Sequence, residues 1–351
     1  MAEGDISLLP LLERDPGEVL FRAPDRDVTA AMFSAAAHRL AASLPATSHL
    51  VNLSGDRLAF AEGFAAALLN GQVSLLTSDR SAGALKQLAA LYPGLVSLSE
   101  NQSETGAIPH HRIERGGPGA GAARAEEGIP IERLAAIVFT SGTTGEPVGH
   151  RKPWGALASR SRDAAERFGF HKERPASIIA TVPPPHMYGF ETTILLAFAA
   201  PVSVWCGPAF YPADIEAALD ACPAPRVLVT TPLQIRALLA ATTELPPLAR
   251  IISATAPLDA AMAAEAESRW KTQVHEIFGA TEVGSIASRR TTADAVWTTY
   301  PHVHLALGCG VDEEHPLVSA PHAEPLALGD RVQWLDPAHF RLLGRRSDIV
   351  K

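Results

Sequence analysis

From Ser48 onward, short apolar runs alternate with segments whose apolar residues recur at helical spacing. Leu50–Leu53 reads as a strand, Asp56–Leu69 as an Ala-rich helix, Val73–Thr77 as a strand, Ala82–Leu91 as a helix and Leu95–Leu98 as a third strand. That β-α-β-α-β order predicts a parallel sheet with helices on its faces. The segment Asn101–Gly128 has no period, and its Gly-rich stretch Arg115–Gly121 predicts a surface loop or linker. A short apolar run, Ala135–Phe139, leads out of it.

A second α/β set follows. Its strands fit Ile178–Val182, Val202–Trp205, Arg226–Val229, Ile251–Ser253 and Val274–Ile277, with helices near Glu191–Ala199, Pro212–Ala221, Pro232–Ala241 and Asp259–Lys271. Pro212 and Pro232 suit a first helical turn, where the missing N–H costs little. After Gly284 the helical period fades into strand-like pieces at Ser285–Arg290, His302–Leu307 and Val332–Leu335. The pattern predicts an α/β protein with two doubly wound subdomains, their sheets mostly parallel, and a small β subdomain. The expected divisions are 1–170, 171–284 and 285–345, with a short tail at 346–351.

Composition narrows the function classes. The chain has 351 residues, 47% hydrophobic and 19% charged, enough to bury a sizeable core. A net charge of −8 argues against nucleic acid as a partner, because phosphate-backbone binding needs clustered Lys and Arg. Cys206, Cys222 and Cys309 are too few and too scattered for a disulfide framework or a zinc motif. The acidic N-terminus lacks the basic start of a signal peptide, and no uncharged run reaches the ~18 residues of a membrane span. A cytoplasmic location is the expectation.

The most informative stretch is Thr140-Ser-Gly-Thr-Thr-Gly-Glu-Pro-Val-Gly149, directly after a strand. Thr140, Ser141, Gly142, Thr143, Thr144 and Gly145 offer hydroxyls and a closely approachable backbone to an anion. The Lys-containing Walker A pattern is absent. Further on, Pro183-Pro-Pro-His-Met-Tyr-Gly189 places His186 and an aromatic behind a rigid proline run, as a pocket wall requires. Tyr188 and Phe190 suit either a substrate pocket or the core. Ser253-Ala-Thr-Ala-Pro-Leu258 ends another strand in small residues. Phe278-Gly-Ala-Thr-Glu282, Gly329-Asp330 and Gly344-Arg-Arg-Ser-Asp348 complete the set.

In this order, the segments resemble the signatures of the adenylate-forming superfamily: acyl-CoA synthetases, aryl-acid ligases, peptide-synthetase adenylation domains and firefly luciferase. The resemblance runs from about Val51 to Lys351 and implies the N-terminal domain of such an enzyme. It implies ATP and Mg²⁺ as cofactors, with Thr140–Gly145 holding phosphates and Thr255, Ala256 and Pro257 lying on the adenine side. Phe278 and Gly279 would meet the base, Thr281 the α-phosphate, and Glu282 the Mg²⁺. Asp330 would accept the ribose hydroxyls and Arg345 would contact ribose and phosphate. His186, Tyr188, Gly189, Ala254 and Gly279 would line the acid pocket, with His186 shifting as the second half-reaction begins. Thr281, Glu282 and His186 are the expected catalytic residues.

Two departures stand out. The family's lysine before the last loop glycine is Val148, so a cationic contact is lost; Arg151 and Lys152 are the nearby candidates to replace it. Phe278 replaces the usual Tyr, keeping a stacking face without the hydroxyl. The expected reaction is attack of a carboxylate on the α-phosphorus of ATP, followed in the family by transfer to coenzyme A or to an acyl carrier protein. The run Gly149–Trp154 is similar to ligases of aryl-polyene and xanthomonadin pigment clusters, pointing to a hydroxybenzoate-type acid. A medium-chain fatty acid is the alternative, and a non-catalytic nucleotide- and acid-binding pseudo-enzyme the alternative of another class. The family's mobile C-terminal domain is not among these residues, so residues 1–351 are expected to bind nucleotide yet adenylate poorly.

Overall fold

The computed structural model describes residues 7–101, 108–114, 128–141, 147–241, 244–306 and 316–345. Two compact units emerge: Met1–Ala158 with Pro183–Gly207, and Ser159–Val182 with Pro208–Lys351.

The first unit is built on β1 (His49–Asn52), β2 (Val73–Leu76), β3 (Val96–Ser99), β4 (His110–Arg112), β5 (Leu134–Ser141) and β6 (Pro147–Pro153), in the order β6-β5-β2-β1-β3-β4. All neighbours run parallel except the β5–β6 hairpin. The side-chain alternation of β1 explains the two covered faces. Val51 packs with Leu85 and Leu88 of one helix (Ala82–Leu91), whereas Leu50 packs with Ala59 and Ala67 of another (Arg57–Leu69). Ser81 and Asp56 cap those helices by accepting the N–H groups of Ala84 and Ala59.

The segment Pro183–Gly207 belongs here because Val202–Trp205 pairs in parallel with Val19–Arg22, which in turn pairs with Asp27–Thr29. These N-terminal strands carry no clear period. Arg14 secures the arrangement by donating to the carbonyls of Ala197 and Val202, each at 2.8 Å. β6 was likewise hidden in the sequence: it is an edge strand bounded by prolines and half-solvated, so it lacks a clean alternation.

The second unit carries β7 (Ala176–Ala180), β8 (Arg226–Thr230), β9 (Arg250–Ser253), β10 (Val274–Ala280), β11 (Gly284–Arg290), β12 (Val296–Thr299), β13 (Asp330–Asp336) and β14 (His339–Arg345). Their order is β13-β14-β12-β11-β10-β9-β8-β7, parallel from β7 to β10 and antiparallel beyond. Pro212 and Pro232 sit in first helical turns, as their spacing predicts. β10 continues to Ala280 and turns back into β11, so the strands Gly284–Arg290, Val296–Thr299, Asp330–Asp336 and His339–Arg345 extend this sheet. His304–Ala306, Leu317–Ser319 and Leu326–Ala327 form a small sheet of their own.

A cationic corner forms around β10. Arg250 donates to the Phe168 carbonyl at 2.7 Å and its guanidinium lies 5.4 Å above the Phe168 ring, while Arg167 donates to Ser288 Oγ at 2.7 Å. His275 meets the same ring edge-on at 6.2 Å. Burial, followed by Arg250, Arg167 and Arg290, lowers the His275 pKa to about 4, with Glu267 opposing. An unfolded chain protonates this imidazole near the ordinary value of 6.5. Between those values the unfolded state binds the extra proton, so stability falls as pH falls from 6.5 to 4. Because the ring is partly solvated, we expect roughly 1–3 kcal/mol from this group. Urea midpoints compared at pH 7.5 and pH 5 should fall less in His275→Gln than in the wild type; equal falls would exclude this source.

Among the described residues, no helix is long and apolar enough to cross a membrane. Cys206 and Cys222 are not joined in a disulfide.

Candidate active site

In the first unit β5 ends at Ser141 and β6 begins at Pro147, and the two pair antiparallel at the carboxyl end of the parallel strands. Residues 142–146 lie outside the described residues, and with them Gly142, Thr143, Thr144 and Gly145. In the register of the two strands, Thr140 pairs with Val148 and Ser141 with Pro147. The Thr140 hydroxyl lies 3.0 Å from Nε2 of His150, which fixes that side chain on the hairpin. A Cβ on Gly149 would stand 2.9 Å from Ile137 Cγ2 and 3.1 Å from the Phe139 ring. Glycine there lets the ring lie across the hairpin. Val148 is exposed at 46%, Arg151 is exposed, and Lys152 is buried at 3%.

His186 also belongs to the first unit. It caps a short helix, Met187–Gly189, with Nδ1 accepting the Tyr188 N–H at 3.2 Å. A ring that accepts at Nδ1 is neutral and carries its proton on Nε2. Partial burial lowers the His186 pKa below the usual imidazole value, favouring this form, although the side chain keeps solvent contact. The helix then widens into a π turn at Phe190–Leu195, where Thr192 and Thr193 hydroxyls donate to the carbonyls of Tyr188 and Gly189. Arg57 donates to Thr193 Oγ1 at 2.8 Å. Tyr188 and Gly189 are buried; Phe190 is a core residue, packed edge-on against Phe64 at 4.9 Å.

In the second unit, β8, β9 and β10 end at one edge of the sheet, where ligand crevices of α/β folds form. From β9 the chain enters the turn Ala254–Pro257. Ala254 is buried, whereas Thr255, Ala256 and Pro257 are exposed. Thr255 has φ +81°, a left-handed conformation that costs a side-chain-bearing residue energy. From β10 the chain turns at Thr281 and Glu282, with the Val283 N–H donating to the Ala280 carbonyl at 3.1 Å. Thr281 is half-buried and Glu282 exposed. A bulge at Phe278/Gly279 sets up this turn, and Gly279 packs directly on the Gly284 backbone.

The register of β13 and β14 places Asp330 opposite Arg345, so two residues fifteen apart in sequence become cross-strand partners. Phe278 reaches towards β12 and β14. Its ring lies 5.8 Å from Trp297 and 5.7 Å from Phe340, and those two stack at 6.5 Å. The second unit therefore brings together the two turns at the β9 and β10 ends, and separately pairs Asp330 with Arg345.

The sequence pattern alone did not single out Glu276. It is buried on β10 and accepts from the Leu258 N–H at 2.9 Å, Arg289 Nε at 2.8 Å and Thr291 Oγ1 at 3.1 Å. A signal was present: an acidic residue within the apolar strand Val274–Ala280, with Arg289 and Arg290 on the next strand.

The chain belongs to the AMP-binding enzyme family, whose model matches residues 27–315. A 4-coumarate–CoA ligase from Halorhodospira halophila is 29% identical over 222 residues, covering 60% of this chain and 51% of that protein. Another from Rhodobacter capsulatus is 28% identical over 220 residues, covering 63% and 54%. The chain thus spans about half the length of the curated relatives it matches. Apo MatB from Rhodopseudomonas palustris has a TM-score of 0.80 at 19% identity, over 97% of this chain and 78% of that one. O-succinylbenzoate coenzyme A synthetase (MenE) from Bacillus subtilis, in complex with AMP, has 0.79 at 18%, over 95% and 77%. At these identities the likeness establishes a shared fold.

Proposed function

We propose that this chain binds ATP and activates a small aromatic carboxylic acid as its acyl-adenylate, and that the protein then passes the acyl group to a thiol of coenzyme A or an acyl carrier protein. The observation that carries this reading is the turn at Thr281–Glu282, presented at the same sheet edge as the turn Ala254–Pro257. Coumarate and o-succinylbenzoate, the acids after which two of the similar proteins are named, both carry a benzene ring, which favours this class over fatty acids.

In this reading a carboxylate oxygen forms a bond to the α-phosphorus while the α–β phosphoanhydride bond breaks and pyrophosphate leaves. Two anions must meet, so positioning and charge neutralisation supply most of the catalysis. Thr281 donates to the α-phosphate, and Asp330 accepts from the ribose opposite Arg345. Phe278 offers a face to the base, and His186 presents its Nε2–H towards the acid. Thr255, Ala256 and Pro257 border the base with small or rigid side chains.

The exposed Glu282 carboxylate suits Mg²⁺, which takes one or two carboxylates together with phosphate oxygens and water. In this reading Glu282 supplies one carboxylate, and phosphate oxygens and water would supply the other ligands. Bound there, the ion would neutralise phosphate charge.

Calorimetry with ATP, MgCl₂ and a panel of hydroxybenzoates and octanoate tests the proposal. A hydroxybenzoate should bind more tightly when ATP and Mg²⁺ are present, and EDTA should remove the gain. Preference for octanoate would replace the aromatic acid by a fatty acid. Nucleotide binding without any acid synergy would mark a non-catalytic binder, and absence of ATP and AMP binding would overturn the whole reading.

A further inference from the structure

Both segments proposed to border the base are tied to one ion pair, between buried Glu276 and half-buried Arg289, that touches neither substrate in that reading. Glu276 is 3% exposed and both its oxygens are occupied. Oε1 accepts the Leu258 N–H at 2.9 Å, which pins the end of the turn containing Thr255. Oε2 accepts Arg289 Nε at 2.8 Å and Thr291 Oγ1 at 3.1 Å, with Arg289 Nη2 at 2.7 Å. The Arg289 guanidinium then lies 4.7 Å above the Trp297 ring, and Trp297 packs against Phe278 at 5.8 Å. A continuous chain of contacts therefore runs from Leu258 through Glu276, Arg289 and Trp297 to Phe278.

Two features say that this chain sets geometry. A buried ion pair adds little net stability, since apolar replacements of similar volume are often as stable; its best-attested use is to fix an arrangement. The turn it holds also contains a left-handed threonine, a conformation that persists only where the surroundings impose it.

We infer that Glu276 and Arg289 are positioning residues that fix the spacing between the turn Ala254–Pro257 and the Phe278 ring, and so set how tightly the chain grips an adenine base. The inference rests on the proposed nucleotide site. It assigns Glu276 no contact with the ligand, because its carboxylate is fully engaged by Leu258, Arg289 and Thr291.

Glu276→Ala leaves the half-buried Arg289 beside an empty position and is at risk of misfolding. The deciding variants are Arg289→Met, which keeps a side chain over Trp297, and the charge-free double variant Glu276→Gln with Arg289→Met. In the whole chain, each should weaken AMP and ATP binding about tenfold by calorimetry. The double variant should unfold near the wild-type midpoint and narrow the preference for ATP over GTP. Arg289→Lys, which keeps the charge but not the fork of donors, should fall between.

A merely structural pair would lower the unfolding midpoint while leaving nucleotide affinity and the ATP:GTP ratio unchanged, and that result would overturn the inference. Wild-type affinity in the double variant would do the same. If the wild-type chain binds no nucleotide, the proposed site itself fails and this inference with it.

Discussion

Gly279→Ala is expected to weaken ATP binding by about tenfold or more and to lower stability by about 1–3 kcal/mol. A Cβ built there stands 2.6 Å from the Gly284 carbonyl oxygen and 3.1 Å from Ser285 Cα. Both are backbone atoms of the strand paired with β10, so no side chain can swing away to relieve the contact. The hairpin must open, and Thr281 and Glu282 sit on the turn between its arms. A displacement of about 1 Å in groups that position a reacting phosphate can cost 100-fold in rate. Calorimetry with ATP and Mg²⁺, alongside urea unfolding, separates the two effects. A protein with wild-type ATP affinity would mean that the turn does not hold the nucleotide. The same substitution at Gly329, where a Cβ meets nothing within 4 Å, is the matched control.

That result bears on what the sequence could disclose. Gly279, Thr281 and Glu282 are neighbours along the chain, so they could be read as one segment without a fold; the structure adds why the glycine is there. The strands β1, β2 and β3 and the helices between them were readable because their contacts are local and their apolar residues periodic. The helix Ala30–Ser43 was not, since its many alanines make no sharp apolar stripe. The assignment of Pro183–Gly207 to the first unit depends on pairing with Val19–Arg22, about 180 residues upstream, which no local pattern encodes.

The same limit explains the Glu276–Arg289 pair. Their meeting depends on the register of β10 against β11, including the bulge at Phe278/Gly279, and a slip of one residue would place the arginine on the opposite face. Phe190 shows the converse. The sequence left it open between a pocket and the core, and the helical rotation turns it onto Phe60 and Phe64. Asp330 and Arg345 are likewise brought into register only by the pairing of β13 with β14, which no local pattern encodes.

The largest stability effect should come from a residue remote from every signature. Asp163, on the helix Trp154–Phe168, is 1% exposed and pairs with Arg160, itself 2% exposed, one turn earlier. Its other oxygen meets His302 Nδ1 at 2.6 Å, and that imidazole is 66% exposed. The two partners therefore make opposite predictions. Asp163→Ala removes a carboxylate held against an interior guanidinium, and breaking a buried pair from one side typically costs 3–5 kcal/mol, so about that loss is expected here. His302→Ala removes a solvent-screened partner and should cost under about 1 kcal/mol. Urea midpoints of the two variants decide the matter. A small, similar loss in both would show that water or rearrangement rescues Arg160. Replacing Arg160 and Asp163 together by Met and Leu should recover most of the stability lost in Asp163→Ala, because the penalty lies in a buried charge deprived of its counter-ion, not in the missing bond.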